Sequence, residues 1–157
     1  MNTPMAHAKL DTSSRTQCLW LRFKAKVLLV LGLKAQAHAA FEEVLNIHPQ
    51  DVLALNSLGY NELNNRRLVQ ALGFFERALT LTPNNANAHF NVGFVCEELG
   101  RIQDAELAFR KALAIDEKMD RAWYGLGLVL VRQQRFEESL VAFKRNTELQ
   151  SMSPYAW

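Results

Sequence analysis

Apolar and small residues recur along this chain at a fixed step of 34 positions. Phe41, Phe75, Phe109 and Phe143 form one column, and Ala37, Ala71 and Ala105 form another that Ser139 completes. Gly59, Gly93 and Gly127 form a third, begun by Ala25. Pro49 and Pro83 close two copies, and Glu117 and Ser151 stand where the next two prolines would fall. A 34-residue step is the period of helix-turn-helix repeat arrays. Within the copies the apolar spacing is helical. Leu55, Leu58 and Leu63 share one face of a first helix, and Leu68, Ala71, Leu72, Phe75, Ala78 and Leu79 run at threes and fours along a second. The pattern predicts about eight antiparallel helices in four units, residues 18–51, 52–85, 86–119 and 120–153, within a domain spanning 16–153.

Polar punctuation places the helix ends. Asp51 and Asn85 are suited to cap first helices, because a short acceptor side chain bonds the exposed amides of a first turn. Asn64-Asn65 and Gly100 read as stops, since Asn and Gly tolerate the left-handed conformation that closes a helix. The last copy is weaker: Ser139 and Asn146 replace alanine, and Gln133-Gln134 lacks a glycine stop. These swaps predict a terminal unit with a wet outer side. Ser153-Pro154 then reads as a new helix start, with Trp157 on the column of Trp123, so that residues 154–157 would begin a fifth unit. That predicts a fragment of a longer array, or an end that pairs with another copy. Residues 1–15 read as a flexible leader.

The columns carry a resemblance to the tetratricopeptide repeat. Copy two supplies Leu58-Gly59, Ala71, Phe75, Ala78 and Pro83; copy three Gly93, Ala105, Phe109 and Ala112; copy four Trp123, Leu126 and Gly127. Leu55 and His89 stand in place of the motif's first aromatic, and Glu62, Cys96 and Leu130 in place of its second. The resemblance implies an all-α, right-handed superhelical array of four such units. It also implies a non-catalytic protein-protein interaction scaffold, whose first helices line a concave groove holding a peptide or helix of a partner protein.

Composition adds limits. The net charge is +2, and only residues 1–50 lean basic, with six Lys/Arg against three Asp/Glu, so nucleic acid is not an expected partner. Val27 to Leu33 is a short apolar run, preceded by Arg22, Lys24 and Lys26 and followed by Ala35-Gln36-Ala37. This is also the grammar of a cleaved signal over residues 1–37. Against it, Ala25, Gly32, Ala37, Phe41 and Pro49 all obey the repeat register. No apolar run approaches the roughly 20 residues of a membrane span. Cys18 and Cys96 lie two copies apart and are expected to be free thiols, which suits a cytoplasmic location.

Catalytic chemistry finds no support. His7, His38, His48 and His89 make no zinc motif with each other or with the cysteines. Gly59, Gly93, Gly125 and Gly127 lie in helical patterns rather than in a phosphate-binding turn. The acidic pairs Glu42-Glu43, Glu97-Glu98 and Glu137-Glu138 read as solvated helix surface. No metal and no cofactor is expected.

Counting along the first helices, the groove that the resemblance implies would present Arg22 and Lys26, then Asn56 and Tyr60, then Asn87, Phe90, Asn91 and Phe94, then Arg121, Tyr124 and Arg132. Asparagine amides can bond both donor and acceptor of an extended main chain, and the aromatic rings offer flat apolar contact. Arg121 and Arg132 are suited to hold a carboxylate. The alternative for Phe90, Phe94 and Tyr124 is that they complete packing between repeats. The lysine-asparagine-arginine clamp with which some relatives hold acidic chaperone tails is incomplete in either register: Asn91 and Arg121 match, whereas Asn56, Tyr60 and Gly125 do not. Two other roles stay open, a regulatory or targeting segment of a larger enzyme or secretion and assembly component, and a self-associating module.

Overall fold

A computed structural model describes residues 11–151, and among them the secondary structure is helical throughout. The helices are α1 (Thr12–Val30), α2 (Lys34–Ile47), α3 (Val52–Asn64), α4 (Leu68–Leu81), α5 (Ala86–Glu98), α6 (Ile102–Ile115), α7 (Asp120–Arg132) and α8 (Phe136–Ser151). They agree with the 34-residue step in order and number. The chain divides into two compact units, Met1–Leu58 and Gly59–Trp157, with the boundary inside α3. The expected start of a fifth helix at Ser153-Pro154 lies outside the described residues.

In the first unit α1 packs on α2. The apolar positions of the repeat register are its core: Cys18, Leu21 and Ala25 from α1, and Ala37, Ala40, Phe41 and Val44 from α2. Helix α1 begins at Thr12, inside the stretch expected to be leader, because Asp11 accepts the Ser14 amide at 2.7 Å. Asp51 does cap α3, its Oδ1 accepting the Ala54 amide at 2.9 Å. Its Oδ2 also accepts from Arg22 of α1, so one buried carboxylate ties two helices together.

In the second unit a phenylalanine from each second helix fills the space left by missing Cβ atoms on the first helices. A Cβ at Gly59 would lie 2.7 Å from Phe75, one at Gly93 2.9 Å from Phe109, and one at Gly127 2.6 Å from Phe143. Gly125 does the same from the following repeat, since its Cβ would lie 2.6 Å from Phe109 Cζ. Phe109 is therefore clamped on both sides and has no exposed surface. Ala71, Ala105, Ala112 and Ala122 complete this core in the same way, small residues admitting close helix approach.

Two expectations change. The left-handed stop after α3 is not at Asn64 or Asn65 but at Arg66, with φ 60°. It belongs to a column of its own, with Gly32 at 75°, Gly100 at 75° and Gln134 at 62°. Helix-to-helix geometry sets the position of the reversal, and the side chain there has to comply. A Cβ in the left-handed region costs about 1 kcal/mol. Gln134→Gly should therefore raise stability by about 0.5 kcal/mol after glycine's larger unfolded-state entropy is set against the relief. Urea denaturation of the two proteins checks this.

The polar swaps of the last copy also point inward. Ser139 and Asn146 are buried, at 3% and 7% exposure, and the Asn146 amide donates to the Asp120 carbonyl at 2.8 Å. The exposed side of α8 carries Glu137, Glu138, Lys144 and Glu148, and among them three exposed apolar residues, Phe136, Leu140 and Val141. The swap from alanine works because a backbone acceptor stands opposite the new amide.

A charged cluster joins the last two repeats. Glu106 of α6 accepts from Gln133 and Arg135 at 2.8 Å each and from Arg110 at 2.8 Å, and Arg135 also holds Glu138. Burial pushes the Glu106 carboxyl up, but the hydrogen bonds from Gln133, Arg110 and Arg135 outweigh it and leave the group below its ordinary 4.5. A carboxylate lowered in the folded state stabilises fully above that ordinary value, and the contribution is lost as pH falls through the lower folded value. Glu106→Gln should cost about 1 kcal/mol at neutral pH, since its arginine partners are partly solvated. The difference from wild type should shrink as unfolding is measured at successively lower pH below 4.5.

Candidate functional site on the first helices

The residues expected to line a groove fall in both units. In the first, Arg22 is held by the buried Asp51 carboxylate. Lys26 is exposed, and the Asn56 Oδ1 is buried without a hydrogen-bond partner.

The second unit holds Tyr60, Asn87, Phe90, Asn91, Phe94, Arg121 and Tyr124 in three sets of contacts, Tyr60 with Asn91, Asn87 and Arg121 with the Phe90–Phe94 pair, and Tyr124 with Phe143. The hydroxyl of Tyr60 donates to Asn91 Oδ1 at 2.8 Å, which bridges α3 and α5. Phe90 and Phe94, one helical turn apart, stack at 6.3 Å with ring planes 24° apart. The Arg121 guanidinium lies over the Phe90 ring at 4.5 Å and donates to Asn87 Oδ1, so α7 reaches across α5 at this point. Tyr124 repeats the arrangement one unit later, lying 5.8 Å from Phe143.

These contacts answer the two readings of the aromatic residues separately. Phe90 packs against Phe109 at 5.8 Å and is half-buried, so part of it does complete the repeat core. Tyr124 and Tyr60 are 51% and 44% exposed. Asn91 is only 5% exposed, whereas Asn87 and Arg121 are exposed. Arg132 pairs with Glu97 Oε1 at 2.8 Å and donates to the Glu97 carbonyl at 3.2 Å. Gly125, a gap in the chaperone clamp, is the seat of Phe109. Its signal in the sequence was a second glycine two residues before the repeat's own Gly127.

Other chemistry is sparse. Among the described residues no group of three His, Cys, Asp or Glu could hold a metal ion, and no helix is long and apolar enough to cross a membrane. Cys18 and Cys96 are free and buried, and burial pushes both thiols up, away from reactive thiolate. A cavity of about 190 Å³ bounded by Glu76, His89, Cys96, Arg101 and Lys111 includes none of the expected groove residues.

Comparison with known proteins agrees with this architecture. Two family models, both described as tetratricopeptide repeat, match residues 50–118 and 97–145. Among solved structures, a crystal structure of MamA is 22% identical with a TM-score of 0.79, covering 85% of this chain and 78% of that one. MamA from residue 41 onward, from Desulfovibrio magneticus RS-1, is also 22% identical with a TM-score of 0.79, covering 94% and 80%. YrrB, described as a TPR protein with an unusual peptide-binding site, is 21% identical with a TM-score of 0.77, covering 92% and 74%. Identity at this level shows the fold alone. No curated protein matches. Tetratricopeptide repeat arrays are in general scaffolds for protein interaction, and the two family matches support that general role here. With two repeat models spanning residues 50–145 and eight helices on the 34-residue register, the chain belongs to the tetratricopeptide repeat family.

Proposed function

We propose that the first-helix face of the second unit binds an extended peptide segment or a helix of a partner protein. The observation that carries this is the exposed Asn87–Arg121 pair over the half-buried Phe90–Phe94 stack, with exposed Tyr124 one turn beyond Arg121 on α7. Hydrogen-bonding groups and flat apolar surface stand side by side there on a preformed helical frame, which limits the ordering cost of binding. Tyr60 and Asn91 hold that frame through their mutual hydrogen bond. Arg121, already stacked on Phe90, is oriented to meet a carboxylate or a main-chain carbonyl. YrrB, a tetratricopeptide repeat protein with a peptide-binding site, supports the reading by likeness of fold. A cytoplasmic location belongs to the same reading, because both cysteines are free.

The test is affinity capture with the intact chain against the Asn87→Ala, Tyr124→Ala double variant. Both side chains are exposed, so the variant should stay folded, with its unfolding midpoint lowered only by loss of the Tyr124–Phe143 and Asn87–Arg121 contacts, and a cooperative melt checks this. Partners that wild type retains and the variant loses, with affinity reduced about tenfold or more, would be the expected result. Equal capture by the two proteins would remove the assignment.

Self-association is a second reading, favoured by one observation on α8. Leu140 is 71% exposed, whereas Leu72 in the same column is 6% exposed. Light scattering against concentration, for wild type and Leu140→Glu, separates it from partner binding.

A further inference from the structure

Helix α1 is apolar on two opposite sides, and among the described residues only one of them packs against another helix. Cys18, Leu21 and Ala25 face α2 and are buried. At 3.6 residues per turn, Leu19, Phe23, Val27 and Val30 fall on the opposite side with Trp20 beside them. Trp20 is 62% exposed, Phe23 59% and Val30 87%. The Trp20 and Phe23 rings lie 6.0 Å apart, which makes one continuous patch. In the other copies the column of Trp20 holds Ala54, Ala88 and Ala122, all buried. The repeat architecture therefore asks for no tryptophan at this position.

The charge around the strip has one sign. α1 contains no acidic residue, and Lys24 and Lys26 flank the apolar ridge on its two sides, with Arg15 a turn before. Among the described residues none of these three cations makes an ion pair, unlike Arg22, which Asp51 holds on the buried side. An aromatic and aliphatic ridge with lysines along both edges matches an interfacial helix lying in the plane of an anionic bilayer. A second copy fits less well, since antiparallel α1 helices would bring the lysine rows together. The surface is a single helix ridge that a plane accommodates.

We propose that α1 docks this chain peripherally on anionic lipid, with Trp20 and Phe23 entering the headgroup boundary and Lys24, Lys26 and Arg15 meeting lipid phosphates. This docking lies on α1 alone and does not depend on the peptide-binding face of the second unit. The test is co-sedimentation of the full chain with vesicles of phosphatidylcholine containing about 30% phosphatidylglycerol, beside vesicles of phosphatidylcholine alone. Wild type should partition at least about tenfold better onto the anionic vesicles. Trp20→Ala with Phe23→Ala should lower that partitioning about tenfold while leaving the helical circular dichroism unchanged, and Lys24→Glu with Lys26→Glu should abolish the preference for anionic lipid. Brominated lipid should quench tryptophan emission less in Trp20→Phe than in wild type. Absence of vesicle binding, or binding that neither double variant reduces, would overturn the proposal. Concentration-dependent dimerisation lost in the Trp20, Phe23 variant without vesicle binding would also overturn it and assign the strip to a second copy.

Discussion

Phe109→Ala should lower the stability of the second unit by about 3–5 kcal/mol, the range for truncating a buried phenylalanine. The upper part of that range is expected here. The ring has no exposed surface, and glycines on two successive first helices, Gly93 and Gly125, leave it the space it fills. Neither glycine can extend a side chain into the cavity that alanine would leave. Collapse would require α5 and α7 to move, and each is fixed by its other contacts with α6. Phe90, which rests on Phe109 at 5.8 Å, would lose its backing as well. The same substitution at Phe143 should cost less, because that ring meets Gly127 and Tyr124 yet stays partly exposed. Chemical denaturation of both variants gives the two values, and loss of a cooperative transition in Phe109→Ala alone would be the extreme form of the expected result.

Much of this fold is legible in the sequence because the repeat writes each structural rule several times. Phe75, Phe109 and Phe143 meet the glycine on their own first helix in the same way, so the column itself states the contact. What escapes the register is whatever differs between copies. Arg22, Asn56, Phe90 and Tyr124 share one column but not one environment: the first is held by Asp51, and the third and fourth rest on Phe109 and Phe143, the third half-buried and the fourth 51% exposed. Arg132 reads as a free cation until Glu97, 35 positions earlier, is seen to hold it. Such pairings run between helices of adjacent repeats, and neither partner signals the other by spacing. Ser139 and Asn146 show the converse error. Polarity at a repeat column suggests solvent, but the Asp120 carbonyl supplies the acceptor that lets an amide stay buried. The proposed binding face follows the same division: its backbone positions are given by the period, and which side chains stay exposed is decided by neighbours.

Gly125→Ala tests the packing of the third and fourth repeats from the opposite direction, by adding an atom where Phe109→Ala removes a ring. Helix propensity favours the change by about 1 kcal/mol, since alanine replaces glycine inside α7. Packing opposes it. The new Cβ would lie 2.6 Å from Phe109 Cζ and 2.9 Å from both Cε atoms, well inside contact distance. Retreat of the ring is blocked by α5, because a Cβ on Gly93 would itself be only 2.9 Å away and Ala108 lies 3.3 Å from that same point. Either the ring leaves its rotamer or α6 and α7 separate, at about 1–3 kcal/mol for overpacking of this kind. The net expectation is destabilisation, greater for Gly125→Val because a branched side chain adds bulk and loses helix propensity. Combining Gly125→Ala with Phe109→Leu should recover part of the loss, since the smaller side chain vacates the ring tip that the new methyl strikes. A double-mutant cycle then reads a favourable coupling of about 1 kcal/mol or more between these contacting residues. Strict additivity of the two substitutions would mean that Gly125 does not seat Phe109, and the account of how these repeats lock together would fail at its central contact.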